Sequence, residues 1–164
     1  VTIRASARDA GVSPAAPIHH FGSLKGLLSA LAARGFERLV ARLDTDLAAR
    51  DDGGTTVLVG AYVAFAVSAP KMFDLMWRED VLNPEDGDLS KARRVALERL
   101  QTNVQPRNGS ADGRIGAIRT WSLAHGLATL LLHGRLVKAL GAAGSGLETQ
   151  DDFVSLAYGH GFSG

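Results

Sequence analysis

The histidines are the side chains of this 164-residue sequence with the widest chemistry, because imidazole can bind a metal or transfer a proton near neutral pH. His19 and His20 are adjacent, His125 and His133 share one apolar segment, and His160 stands apart. No two of them form an H-E-x-x-H pair or another compact ligand set, and the sequence has no cysteine. We therefore expect no metal, no cofactor and no disulfide.

Two glycine-rich stretches resemble nucleotide-binding loops only in part. GHGFSG (159–164) has the spacing of the dinucleotide-binding motif, but it follows a predicted helix where that motif requires a strand. GSGL (145–148) lacks the lysine of a phosphate-binding loop, and no G-x-S-x-G nucleophile motif occurs. The carboxylates are scattered, mostly in loops. These patterns favour a protein that is not an enzyme.

The composition, 46% hydrophobic and 21% charged, indicates a folded chain with a core. The net charge of +1 hides an asymmetry, because residues 1–43 carry +4 and the remainder −3. A basic end suggests a polyanionic partner, although solvated surface charge gives the same pattern. We find no apolar run of about 18 residues, the length that spans a bilayer, and no signal-peptide pattern. We expect a cytoplasmic protein with no membrane partner.

Helical periodicity runs through nearly the whole sequence, whereas strand-like alternation is almost absent, so the predicted fold class is all-α. A leucine stripe on the long third helix is predicted to face the core, with members Leu24, Leu27, Leu28, Leu31, Leu39, Leu43 and Leu47. Helices are predicted over about 2–10, 14–21, 24–50, 55–68, from Pro70 to about Trp77, 90–104, 114–140 and 149–162. Polar or glycine-rich loops separate them.

The stretch AGVSPAAPIHHFGS (10–23) joins the first two of these helices. Gly11 suits the position after a helix, and Ser13 followed by Pro14 suits the start of the next one. Two short helices around a tight turn are typical of a helix-turn-helix, whose second helix enters the major groove of DNA. An ordinary helical hairpin with two surface histidines has the same spacing, so the spacing leaves both interpretations open.

The segment TIRASARDAGVSPAAPIHHFGSLKGLL (2–28) resembles the DNA-binding segment of TetR-type transcriptional regulators. The matching positions are Thr2, Ala7, Ala10, Gly11, Val12, Ser13, His20, Phe21, Leu27 and Leu28. The resemblance implies that Ala7, Val12 and Phe21 hold the helices together. It implies DNA contacts from Thr2, Ser13, Ala15, Pro17, Ile18, His19 and His20, to which we add the basic residues Arg4 and Lys25. Double-stranded DNA is thus the expected partner.

The chain departs from that family pattern in three places. Ile18 replaces a tyrosine, which removes a hydroxyl that binds phosphate. Leu24 stands where a lysine is frequent, and Lys25 is rotated from that position by about 100° around the helix. The match also begins at the second of the family's three DNA-domain helices. These departures bear on individual DNA contacts.

A second segment, RTWSLAHGLATLLLHGRL (119–136), resembles the regulatory domain of a TetR subgroup named for Trp, His and Gly, here Trp121, His125 and Gly126. AYVAFAVSAPKMFDLMW (61–77) resembles the helix pair that precedes it. The resemblance implies a DNA-binding domain over 1–47 and a ligand-binding and dimerisation domain over 48–164. It implies a homodimer formed by the last two long helices, with Gly126, Leu130, His133, Gly134, Phe153 and Tyr158 at the interface.

Aromatic and sulfur-containing side chains near these segments are the candidates for a binding pocket. His125 lies one helical turn after Trp121 and is either a hydrogen-bonded core residue or a pocket contact. The cluster around Phe73 is likewise either core or pocket wall. The candidate ligand-binding residues are Tyr62, Phe65, Met72, Met76, Trp77, Trp121 and His125.

These inferences predict a ligand-responsive repressor that binds a palindromic operator as a homodimer and is released by a small apolar effector. The main alternative is an all-helical small-molecule-binding protein or enzyme without a DNA role. A weaker alternative is a regulator whose pocket is vestigial and which responds to a partner protein.

Overall fold

The computed structural model describes residues 11, 13, 19, 21–49, 54–103, 113–136, 138 and 152–153. In these ranges every regular element is helical, which confirms the all-α prediction. The helices are Leu24–Ala48 (α1), Thr55–Ser68 (α2), Pro70–Met76 (α3), Gly87–Asn103 (α4) and Gly113–Leu132 (α5). Nearly all of the predicted helix-turn-helix and of the predicted helix over 149–162 lies outside the described residues.

Side-chain caps set where the helices start. Ser23 is extended and accepts a hydrogen bond from the N–H of Gly26 at 3.0 Å, as predicted for the residue before the long helix. Pro70 occupies the first turn of α3, where its missing N–H costs nothing. α4 begins three residues before the predicted start, because Asp86 Oδ1 accepts the N–H of Leu89 at 2.9 Å.

The end of α5 differs from the prediction. The helix stops at Leu132 and helical residues resume at Arg135, so the single unbroken helix predicted over 114–140 is wrong at residues 133 and 134. Gly134 has a φ of 65°, and its N–H donates to the carbonyl of Leu131 at 2.9 Å. Only glycine adopts this left-handed conformation at little cost. A glycine that is tolerated inside a helix looks the same in sequence, which is why the break was missed.

The central element of the core is α2, which packs most extensively against α5 and also against α1 and α3. Leu58, Ala61 and Ala66 have no exposed surface. α1 packs against α4, but the leucine stripe is buried only in part. Leu39 and Leu43 are buried as predicted, whereas Leu24 and Leu31 are exposed. In the amino-terminal half of α1, the face with Ser29, Ala32 and Ala33 is buried instead.

Two contacts hold α1 against α3 and the loop that follows it. A Cβ built on Gly35 would lie 2.7 Å from Cγ and Sδ of Met76, so a larger residue there would force the buried Met76 side chain to move. Ser29, which is fully buried, accepts a hydrogen bond from the N–H of Asn83 at 2.8 Å. The loop between α3 and α4 is therefore fixed to α1.

α5 has two contrasting faces. Ala117, Ala124 and Ala128 are buried, whereas large apolar side chains on the opposite face are exposed, namely Ile115, Ile118, Leu123 and Leu130. By length and composition alone, Ile115–Leu132 could cross a membrane, with a mean hydropathy of 1.2, which corrects the expectation that no run is long enough. α2 and α3 meet the same test only as a pair bent by 109°. The inner face of α5 packs on α2, as a core helix does.

Candidate ligand-binding cavity

A cavity of about 110 Å³ lies between α1, α2, α4 and α5. α1 contributes Phe36, Leu39 and Leu43, and α4 contributes Arg93, Ala96, Leu97 and Leu100. Tyr62 of α2, Trp77 after α3, and Trp121 of α5 complete the wall. Most of the lining is apolar or aromatic, which is the composition of sites that bind small apolar molecules.

Trp77 is the centre of the aromatic part of this wall. Its ring lies 5.5 Å from that of Trp121, with 34° between the planes, and meets the ring of Phe36 edge-on at 5.3 Å. It also meets the imidazole of His125 edge-on at 4.8 Å. Edge-on and tilted pairs at these separations are favourable, so the rings fix one another. The cavity therefore has a preformed aromatic side.

Tyr62 is held by a hydrogen bond to His125, with 2.9 Å between its hydroxyl oxygen and Nδ1. Burial raises the pKa of Tyr62 above its usual value, with the Trp121 side chain opposing this effect to a smaller degree. Burial lowers the pKa of His125. The phenol is thus protonated and the imidazole neutral at pH 7. His125 does not line the cavity but positions a residue that does.

Arg93 is the charged residue of the cavity wall. Its Nη2 lies 2.7 Å from Oε1 of Glu79, and its guanidinium stands 5.8 Å from the centre of the Phe36 ring. The side chain of Arg93 is 28% exposed, whereas that of Glu79 is 67% exposed. The arginine therefore belongs to both the cavity and the surface, and its partner carboxylate is largely in water.

Trp77 also carries an unsatisfied polar atom. The indole Nε1 is buried and has no hydrogen-bond partner among the described residues. A buried donor without a partner costs about 1–3 kcal/mol. Indole and guanidinium groups are donors only. The lining of the cavity is almost wholly apolar, and Arg93 is its charged residue.

Residues 55–148, from α2 to beyond α5, match the family model of the tetracyclin repressor-like, C-terminal domain. The chain belongs to the TetR family. Members of this family are regulators, which points to a non-enzymatic role. The match does not specify the Trp-His-Gly subgroup, which stays a prediction.

A solved structure is also similar to this chain. The structure of a protein with unknown function from Rhodococcus sp. RHA1 is similar, with a TM-score of 0.72 and 27% identity. The similarity covers 96% of this chain and 81% of that one. No curated protein sequence matches. The similarity in fold to that structure thus extends beyond residues 55–148.

Of the residues predicted to bind a TetR-type effector, Tyr62, Trp77 and Trp121 line the cavity. Phe65 and Met76 lie in the core, and Met72 and His125 pack around it. The α1 and α4 residues of the wall were missed. Helical periodicity identifies the residues that face the core, but it does not show where two facing helices leave a cavity between them. Arg93 was missed because an arginine in a charged helix is typical of a solvated surface.

The residues predicted to contact DNA or a second subunit are described only in part. Ser13, His19 and Lys25 are exposed, whereas Thr2, Arg4, Ala15, Pro17, Ile18 and His20 lie outside the described residues.

Leu130, His133 and Gly134 are exposed near the end of α5, and a Cβ on Gly126 would meet no atom within 4 Å. Phe153 is buried in the chain's own core, which leaves it almost no surface for a partner. Tyr158 is also outside the described residues.

Proposed function

We propose that this TetR-family protein is a cytoplasmic repressor that binds a palindromic operator as a homodimer and leaves it when a small apolar effector enters the cavity. The observation that carries the proposal is that α1 lines the cavity through Phe36, Leu39 and Leu43. α1 begins immediately after the segment that resembles a TetR helix-turn-helix. One helix thus joins the effector cavity to the DNA-binding segment.

The mechanism we infer is a shift between two conformers of the dimer. Recognition helices must stand about 34–36 Å apart to enter successive major grooves. An effector that prefers a conformer with another position of α1 weakens DNA binding, and DNA weakens effector binding equally. A coupling of about 1–3 kcal/mol is typical of such systems. We keep the domain boundary at 47/48, near the end of α1.

The dimer interface we propose is the outward face of α5, extended by the helix predicted over 149–162. Ile115, Ile118 and Leu123 are exposed on that face in the single chain. Contiguous exposed apolar residues mark interaction surfaces. Gly126 and Gly134 would let a partner helix approach, as the TetR resemblance implies.

DNA binding separates this proposal from a helical binding protein or enzyme. The full-length protein is titrated onto the DNA that precedes its own gene in a mobility-shift assay at several salt concentrations. We expect specific binding that falls steeply as salt rises, because phosphate contacts release counterions. His19→Ala with His20→Ala should weaken binding while the melting temperature is unchanged. Binding that is absent, or equal on scrambled DNA, would refute the proposal.

Ligand binding in the cavity is tested separately, since Trp77 and Trp121 are the only tryptophans of the chain and both line it. Titration with the neutral aromatic 2-acetonaphthone should quench their fluorescence. Ala96→Phe should fill the cavity and abolish the quenching, whereas Ala41→Leu, on the exposed side of α1, should not. Quenching that Ala96→Phe leaves unchanged would place the ligand elsewhere. No response to any apolar compound would favour a vestigial pocket.

A further inference from the structure

We propose that the effector is an aromatic carboxylate whose anionic group binds Arg93 in place of Glu79. The inference rests on the proposed function, because it assigns a ligand class to the same cavity. It goes beyond that proposal by requiring a negative charge as well as an apolar body.

The first argument is the polarity of the wall. Arg93 is the cavity's charged residue, and none of the lining side chains is a carboxylate. The nitrogens of a guanidinium group only donate hydrogen bonds. A carboxylate accepts several hydrogen bonds and matches the planar fork of arginine. A cationic effector would meet a like charge and no acceptor of comparable strength.

The second argument is the shape of the remaining wall. Phe36, Trp77 and Trp121 present aromatic rings, with the leucines of α1 and α4 beside them. Aromatic rings pack favourably on such a surface. An aromatic body against these rings would bring a terminal carboxylate to the Arg93 end of the cavity.

The third argument is the ease of exchanging the present partner. Glu79 reaches Arg93 from the surface, and its side chain is 67% exposed. Exposed ion pairs contribute little to stability, so releasing Glu79 to water costs little. A carboxylate inside the cavity would form the same charge-assisted bonds with less competition from water. The guanidinium of Arg93 already stands 5.8 Å from the centre of the Phe36 ring, and Phe36 also lines the cavity.

The experiment compares 2-naphthoate with its neutral analogue 2-naphthamide by titration calorimetry on the full-length protein. We expect 2-naphthoate to bind at least tenfold more tightly. Arg93→Gln should remove that preference and Arg93→Lys should keep part of it, because lysine retains the charge without the fork. Glu79→Gln should raise the affinity for 2-naphthoate severalfold and leave the affinity for 2-naphthamide unchanged. The matched controls are Arg94→Gln and Glu98→Gln, a pair on α4 that does not line the cavity and should change neither affinity.

The outcomes separate the two proposals. If both compounds bind equally, or if Arg93→Gln leaves the preference intact in a folded protein, the carboxylate assignment is overturned while the cavity remains a binding site. If neither compound nor 2-acetonaphthone binds, the proposed effector cavity itself fails. Circular dichroism of each variant identifies any loss of folding. If Arg93→Gln does not fold, Arg93→Lys tests the guanidinium fork, because a preference for 2-naphthoate equal to that of the unmodified protein would overturn the assignment.

Discussion

The hydroxyl of Tyr62 and Nδ1 of His125 lie 2.9 Å apart and join α2 to α5 across 63 residues of sequence. The bond is set among aromatic rings, because Phe73 and Trp77 both pack against the imidazole. It fixes the direction of a tyrosine that lines the cavity. The histidine of the Trp-His-Gly segment thus acts on the cavity through Tyr62.

Tyr62→Phe should lower the free energy of unfolding by about 1 kcal/mol, the net value of a hydrogen bond, because His125 loses its partner. Urea denaturation measures this change. In a double-mutant cycle, Tyr62→Phe should cost little once His125→Gln is present. If the two substitutions lowered the free energy of unfolding additively, the hydrogen bond between Tyr62 and His125 would contribute nothing to stability.

Stability should depend on pH through His125, whose pKa burial lowers below the usual 6.5. In the window below pH 6.5 the unfolded chain binds more protons than the folded one, so unfolding becomes easier as pH falls. The stabilisation is complete above pH 6.5 and is lost towards the lowered pKa. Melting temperatures from pH 8 to pH 5 should fall more steeply for the unmodified protein than for His125→Gln. If the melting temperatures of the two proteins fell equally with pH, His125 would not be the source of the pH dependence.

Gly35→Ala should destabilise the protein, although alanine favours helix by about 1 kcal/mol over glycine. The added Cβ would press on Met76, and overpacking typically costs about 1–3 kcal/mol. Met76→Ala alone should cost about 2–5 kcal/mol. The variant with both Gly35→Ala and Met76→Ala should be more stable than the sum of the two single effects predicts. The methyl group added at residue 35 would occupy space that the Met76 side chain has left. Chemical denaturation of all four proteins checks this.

Leu123→Glu should convert the dimer to a monomer without unfolding it, because a charge would be buried in the proposed α5 interface while the side chain is exposed in one chain. Sedimentation velocity measures the change. Leu31→Glu introduces the same charge at another exposed leucine, on α1, and should leave the dimer intact. A monomeric unmodified protein would remove the interface proposal altogether.

The sequence predicted the features that depend on local chemistry. Ser23 caps α1 and Pro70 starts α3 because each satisfies backbone groups within a few residues of itself. Burial in α2 was also predictable, since apolar residues occupy almost every position of it. These signals need no knowledge of what packs against the helix.

The missed features depend on distant residues. Nothing near Gly134 in sequence shows that its φ is positive, and nothing near Gly35 shows that Met76 fills the space beside it. Arg93 is a candidate because α4 places its guanidinium over the ring of Phe36, which lies on α1. Cavities form where facing helices leave space, and one helix's pattern does not encode that space.

Under the proposed mechanism, the close contact of Gly35 with Met76 would act as the pivot of α1. Gly35 lies about 18 Å along the helix from Ser23, at about 1.5 Å per residue, so a tilt of about 5° there would carry Ser23 about 1.6 Å. The fulcrum is one turn from Leu39 of the cavity wall. A rearrangement smaller than a methyl group at the cavity would therefore be amplified at the far end of the helix.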